Sequence, residues 1–202
     1  VRATITEGLV NTFKIGGINQ RRRREYFVKP GSILDTFVGD ADNPGSKTDN
    51  GSNFLDYTVT NLLEYSRTFD EMHNFKLTGL VEFNKQEFRT YALTSIGFSS
   101  GDLSVQDVAA EPTAASTNFS ENALQSFGTF LDYSYGNKYV ATGSIRRDQS
   151  SNFGENNDSG YFWSASAAWN IHNESFMEDV EFIDRLKLRS SAGTSGNRAG
   201  IG

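Results

Sequence analysis

The sequence predicts an all-β chain, an antiparallel transmembrane β-barrel segment of about seven strands, on three observations. Apolar and polar residues alternate with period two over several runs. Short turns and long connections follow one another along the chain, the pattern of a barrel with one short rim and one long one. No stretch approaches the ~20 consecutive apolar residues that a membrane helix needs, so any span must be made of strands.

Composition agrees with long strands and turns. The 202 residues include 16 Phe, 8 Tyr, 2 Trp and 19 Gly but only 3 Pro, a mix that suits sheets. With 25 Asp+Glu against 19 Lys+Arg, there is no whole-chain basic field to hold nucleic acid, which is therefore not expected as a partner. The lack of cysteine removes disulfide frameworks and thiolate zinc sites, and is compatible with an oxidising compartment without requiring one. The start, Val1 to Thr6, has no initiator Met and no signal-peptide pattern. It begins inside a strand-like run.

The elements follow in order. Between Asp56 and Phe69, Tyr57, Val59, Leu63 and Tyr65 alternate with Asp56, Thr58, Thr60, Glu64 and Ser66, while Asn61 and Leu62 fall on the wrong faces. After the polar stretch Asp70 to Asn74, Phe75, Leu77, Gly79, Val81 and Phe83 alternate with Lys76, Thr78, Glu82 and Asn84, so the two runs predict a hairpin. Ala92 to Glu121, rich in Ser, Ala, Thr and Gly and carrying Pro112, has no period and reads as a long loop. Strands are expected over Ala123 to Tyr135 and Tyr139 to Arg147, joined by a tight Gly136-Asn137-Lys138 turn. Asp148 to Gly160 reads as a loop.

Tyr161 to Ile171 gives the cleanest separation. Tyr161, Trp163, Ala165, Ala167, Trp169 and Ile171 share one face, and Phe162, Ser164, Ser166, Ala168 and Asn170 the other. From Tyr161 to Trp169 a tilted strand spans roughly 20 Å of membrane normal at ~3.3 Å per residue, close to the ~25 Å apolar band between aromatic girdles. By itself this strand also fits a soluble sheet with two core tryptophans. Loop lengths favour the membrane: the connections at Asp70 to Asn74 and Gly136 to Lys138 are short, those at Ala92 to Glu121 and Asp148 to Gly160 long. His172 to Arg185 departs from that alternation, and its Ser175-Phe176-Met177-Glu178 predicts a short helix begun by a Ser cap. A last strand is expected over Leu186 to Thr194.

From Asn137 to Gly196 the chain resembles the SusC-type (SusC/RagA) branch of TonB-dependent outer-membrane transporters of Bacteroidota. The resemblance is carried by N-K-Y-V-A-T-G-S-I-R-R-D at Asn137 to Asp148, S-S-N-F-G-E-N-N at Ser150 to Asn157, F-W-S-A-S-A-A-W-N-I at Phe162 to Ile171 and L-K-L-R-S-S-A-G-T-S-G-N at Leu186 to Asn197. As an ordered set over about sixty residues these are specific; Ala92 to Tyr135 matches less distinctly, and residues before Asp56 only in general character. Gln149 and Asn152 depart from the family, which usually has Gly and a basic residue there; both fall in the predicted loop and bear on its turn geometry and ligand contacts, not on the fold. The resemblance implies a plugged barrel of about 22 strands, energised through TonB, commonly capped by a SusD-type surface lipoprotein, and importing oligosaccharides or peptides. About 22 strands of ~10 residues need more chain than these 202 residues offer, so residues 1–202 are expected to be part of the barrel domain, with the plug, the TonB-contacting segment and closing strands elsewhere.

Other chemistry is sparse. His73 and His172 lie in or beside predicted turns without spaced metal-ligating partners, so no metal site or catalytic triad is expected. Arg21 to Arg24 reads as a solvated loop or the mouth of a polar lumen. Asp40 to Gly45 imitates a calcium loop but has Gly51 at its twelfth position, which favours a structural turn. Gly45 to Thr48 lacks a phosphate-loop pattern. Glu155, Asp158 and Glu174 read as ordinary loop acids. No catalytic residue and no cofactor is expected.

For ligand contact the candidates are Asn152, Phe153, Asn156, Asn157 and Asp158. Their amides and carboxylate can hydrogen-bond sugar hydroxyls or peptide groups, and Phe153 offers an apolar face to a ring. The same residues also suit a loop that only folds on itself. The expected function is nutrient import across the outer membrane, with the lipid bilayer as a further partner. The alternatives are a small complete outer-membrane barrel with a structural or adhesive role, and a soluble carbohydrate-binding sandwich whose apolar faces would meet in a dry core.

Overall fold

The computed structural model describes residues 1–151, 159–180 and 182–195. Eight antiparallel strands lie in sequence order in one sheet: β1 Arg2–Thr6, β2 Leu9–Val28, β3 Ser46–Phe69, β4 His73–Phe98, β5 Ala109–Tyr135, β6 Tyr139–Ser150, β7 Ser159–Asn170 and β8 Lys187–Gly193. The count is one more than expected. A short α-helix, α1 (Ile33–Val38), follows β2. By contacts the chain divides into two compact units, one of residues 1–16, 57–84 and 122–202, the other of residues 17–56 and 85–121.

In the first unit both predicted hairpins are present, and their turns share one geometry. Asp70 and Glu71 have φ of 48° and 57°, Gly136 and Asn137 of 51° and 53°, and each pair is closed by a hydrogen bond from Met72 N to Phe69 O (3.2 Å) or Lys138 N to Tyr135 O (2.9 Å). Two successive residues at positive φ make the type I′ turn, whose twist matches that of the strands it joins. Register then follows: β5 and β6 pair Tyr135 with Tyr139 through Leu124 with Ser150, β6 and β7 pair Tyr139 with Trp169 through Gln149 with Ser159, and β7 and β8 pair Asn170 with Lys187 through Ser164 with Gly193.

Three expectations are corrected. Ala92 to Glu121 is not one long loop, because β4 continues to Phe98 and β5 begins at Ala109. Residues 110–121 are exposed on both faces, so no buried apolar face imposes alternation; besides strand pairing, Thr113 Oγ1 donates to the Thr94 carbonyl at 3.2 Å, Arg89 lies over the Phe119 ring and Lys85 meets Glu121 at 3.1 Å. Between His172 and Arg185 there are two 3₁₀ turns, Ile171–Asn173 and Ser175–Met177, rather than a Ser-capped helix. Glu174, not Ser175, precedes the second turn, with its carboxylate engaged elsewhere. Arg21 to Arg24 lies within strand β2 rather than in a loop, exposed throughout.

The second unit contains a small knot of its own. Phe27 and Phe98 meet edge-on at 5.1 Å, and Phe98 is buried. The Lys47 side chain is also buried; its ammonium faces Glu25 and Asp49, each at 3.4 Å, and donates to the Ser104 carbonyl. α1 begins at Ser32, whose hydroxyl accepts from Asp35 N, while the Asp35 carboxylate accepts from Gly31 N and Gly45 N, both at 2.8 Å. The Asp40 carboxylate accepts from the backbone of Asp42 and Asn43 at 2.8 and 3.0 Å. It closes a turn of the kind the sequence suggests.

Candidate polar path on a two-faced sheet

Pairing in the first unit sorts side chains onto two faces of different chemistry. Across β6 and β7, one face matches Tyr139 with Trp169, Ala141 with Ala167, Gly143 with Ala165, Ile145 with Trp163 and Arg147 with Tyr161. β5 extends it with Tyr135, Tyr133, Leu131 and Phe127, and β8 with Leu188. On the neighbouring hairpin, ring contacts of Tyr57 with Phe83 and Tyr65 with Phe75 place those aromatics together. These apolar side chains do not meet in a core: Ile145 is 57% and Trp163 48% exposed, and the buried apolar residues among those described are Val28, Phe98 and Leu124. The sandwich alternative required the opposite.

The other face is polar. Thr142 and Ser166 hydroxyls share a hydrogen bond of 2.7 Å, as do those of Ser144 and Ser164. Arg146 donates from Nε to Asp148 at 2.5 Å and from a terminal nitrogen to Ser126 at 3.0 Å. On β3 and β4, Thr60 donates to Glu82 at 3.0 Å, Lys76 meets Glu64 at 2.7 Å, and Asn84 donates to Thr58 at 2.9 Å. Directly opposed hydroxyls and opposite charges are the cross-strand pairs that stabilise a sheet, and together they form a hydrogen-bonding track. Near the short turns a concavity of about 1000 Å³ opens, with Ser66, Thr68, Lys76, Asp132 and Asn170 among its lining. Such a face can exchange hydrogen bonds with a polar solute.

The short-turn end is closed by an aromatic band tied to one acid. Tyr135, Tyr139 and Trp169 stack in series with centroids 6.3 Å apart. His73 lies 4.7 Å from the Tyr135 ring, with Nδ1 2.7 Å from the Tyr133 hydroxyl. Glu174, just beyond β7, accepts from Tyr139 Oη at 2.7 Å, Trp169 Nε1 at 2.9 Å and Lys138 Nζ at 3.0 Å. These donors, the Tyr139 hydroxyl first and then Lys138 and Trp169, hold its carboxyl down to about 2. By sequence alone Glu174 reads as an ordinary loop acid. Its partners are adjacent only through the β6–β7 register.

Asn61, on the wrong face by sequence, also finds a partner. Its carboxamide and that of Asn11 exchange hydrogen bonds at 2.9 and 3.3 Å. The candidate ligand contacts Asn152, Phe153, Asn156, Asn157 and Asp158 lie outside the described residues. The polar track was not singled out from sequence, although the even positions of the alternating runs carry its signal. Among the described residues no three His, Asp or Glu come together as a metal site.

No protein-family model matches the chain. It is 35% identical over 148 residues, 71% of its length, to TonB-dependent receptor P39 of Formosa agariphila, and covers 14% of that protein. To TonB-dependent receptor SusC of Bacteroides thetaiotaomicron it is 39% identical over 88 residues, 44% of the chain and 8% of the relative. The fold superposes on a structure of the RagAB peptide transporter with TM-score 0.85 and 25% identity, over 97% of this chain and 22% of that one. The chain thus spans less than a quarter of the proteins it matches. The motifs, the antiparallel two-faced sheet and these likenesses show that it belongs to the SusC-type TonB-dependent receptors.

Proposed function

We propose that residues 1–202 form part of the barrel domain of an outer-membrane importer that is energised through TonB, works with a SusD-type surface lipoprotein, and takes up oligosaccharides or peptides. The observation that supports this most is the two-faced sheet: an exposed apolar face bounded by aromatics suits lipid, and a hydrogen-bonded polar face suits the wall of a solute path. In this reading the turns at 70–72 and 136–138 face the periplasm and the β6–β7 connection faces outward. A plug domain would lie elsewhere in the full-length protein, and no enzymatic step is assigned.

The test is uptake of labelled peptides and oligosaccharides by cells that carry or lack the full-length protein, with and without TonB. Import of one class, lost on either deletion, is expected. Equal uptake in all strains would overturn the reading. Within it, Phe153→Ala together with Asn156→Ala should weaken ligand binding without lowering barrel stability. Unchanged affinity would leave those residues a structural role only.

A further inference from the structure

Adjacent arginines on β6 are treated differently by the fold. Arg146, on the polar face, is neutralised by Asp148 and bonded to Ser126. Arg147, on the apolar face, stands 5.9 Å from the Tyr161 ring centroid. Among the described residues its buried Nε has no hydrogen-bond partner, and no carboxylate forms an ion pair with it. A guanidinium on a lipid-facing surface is costly unless it lies at the headgroup level or meets an anion. Arg147 lies eight residues along β6 from Tyr139 of the aromatic band, roughly 20 Å of membrane normal by strand geometry.

Beside it a groove of about 530 Å³ runs along the same face. Gly79 leaves its floor open, since a Cβ there would meet only the Leu63 carbonyl, at 3.9 Å. Leu63, Val81, Phe127 and Ile145 supply apolar walls, and Arg147 and Tyr161 stand among its lining. An apolar channel with a planar cation that meets no carboxylate among the described residues offers complementary surfaces to an acyl chain and a phosphate, which a guanidinium binds through paired N–H donors.

We propose that this groove is a binding site for a phosphorylated glycolipid of the outer leaflet, one acyl chain lying over Gly79 and a headgroup phosphate paired with Arg147. The site rests on the membrane orientation proposed above. The test uses the full-length protein, extracted from outer membranes in mild detergent, stripped of lipid and titrated with lipid A by native mass spectrometry. Arg147→Gln should weaken lipid A binding about tenfold, and wild-type protein should bind dephosphorylated lipid A equally weakly. Gly79→Leu, filling the groove, should lower binding of both lipids, whereas Arg89→Gln should change neither. Heat-modifiable migration reports whether each variant is a folded barrel. Folded variants that bind lipid A like wild type would overturn the site and leave the transport reading standing; a parent protein never found in the outer membrane would overturn both.

Discussion

Strands of the two units obey the same backbone rules and carry different sequence codes. In the first unit, β6 and β7 alternate strictly, with Tyr139, Ala141, Ile145, Trp163 and Trp169 on one face and Thr142, Ser144, Ser164 and Ser166 on the other. In the second, Arg21 to Arg24 puts charge on both faces of β2, and residues 110–121 of β5, apart from Pro112 and Phe119, are small or polar on both. Hydrogen-bonded pairing suffices to make a strand in either place. Alternation marks something narrower, namely a strand whose two faces meet different media.

Arginine substitution should expose that difference. In the full-length protein folded into lipid vesicles, Ala165→Arg should cost roughly 2–4 kcal/mol near the midplane by reversible denaturant unfolding, with Ser166→Arg much milder. Equal costs, or the reverse order, would reject the register, since a slip of one residue inverts both faces.

A smaller effect belongs to Glu174. Its folded pKa of about 2 lies below the ordinary 4.5, so the stabilisation it contributes is complete above about 4.5 and is lost as pH falls from there towards 2. Glu174→Gln should therefore flatten the acid limb of stability over that window and leave its shape near neutrality unchanged. An identical acid limb in the variant would show that the three donors do not favour the carboxylate. Smallest of all, Ala115→Arg in the second unit should shift stability by no more than about 0.5 kcal/mol. A cost comparable to that at Ala165 would mean that β5 meets an apolar medium there as well.

The same contrast explains what could be read in advance. The hairpins at Asp70 and Gly136 and the faces of β7 were legible because turn chemistry and alternation are local signals. The strand through Ala109 to Glu121 was not, because its residues have weak propensity and no preferred face, and only partner strands specify it. α1 leaves only a short local signal, Ser32 followed by Asp35, which is a capping pattern. The Glu174 cluster joins residues 35 and 36 apart in sequence, Tyr139 and Lys138; nothing short of the register brings them together. Legible chemistry at Asn152 to Asp158 remains a proposal about ligand contact, whereas the polar track of hydroxyls and ion pairs emerged only when the pairing was known.

The central claim is that the Trp163 and Trp169 face meets lipid and the Ser164 and Ser166 face does not. These 202 residues contain no cysteine, so spin labels can be placed singly through Ala165→Cys and Ser166→Cys in the full-length protein, with any cysteine elsewhere replaced. Power-saturation electron paramagnetic resonance in bilayers then reads accessibility to oxygen, which concentrates in lipid, and to a water-soluble nickel chelate. The label at position 165 should favour oxygen and the label at 166 should not. Preference for the nickel chelate at 165, or a reversal between the two positions, would contradict the account.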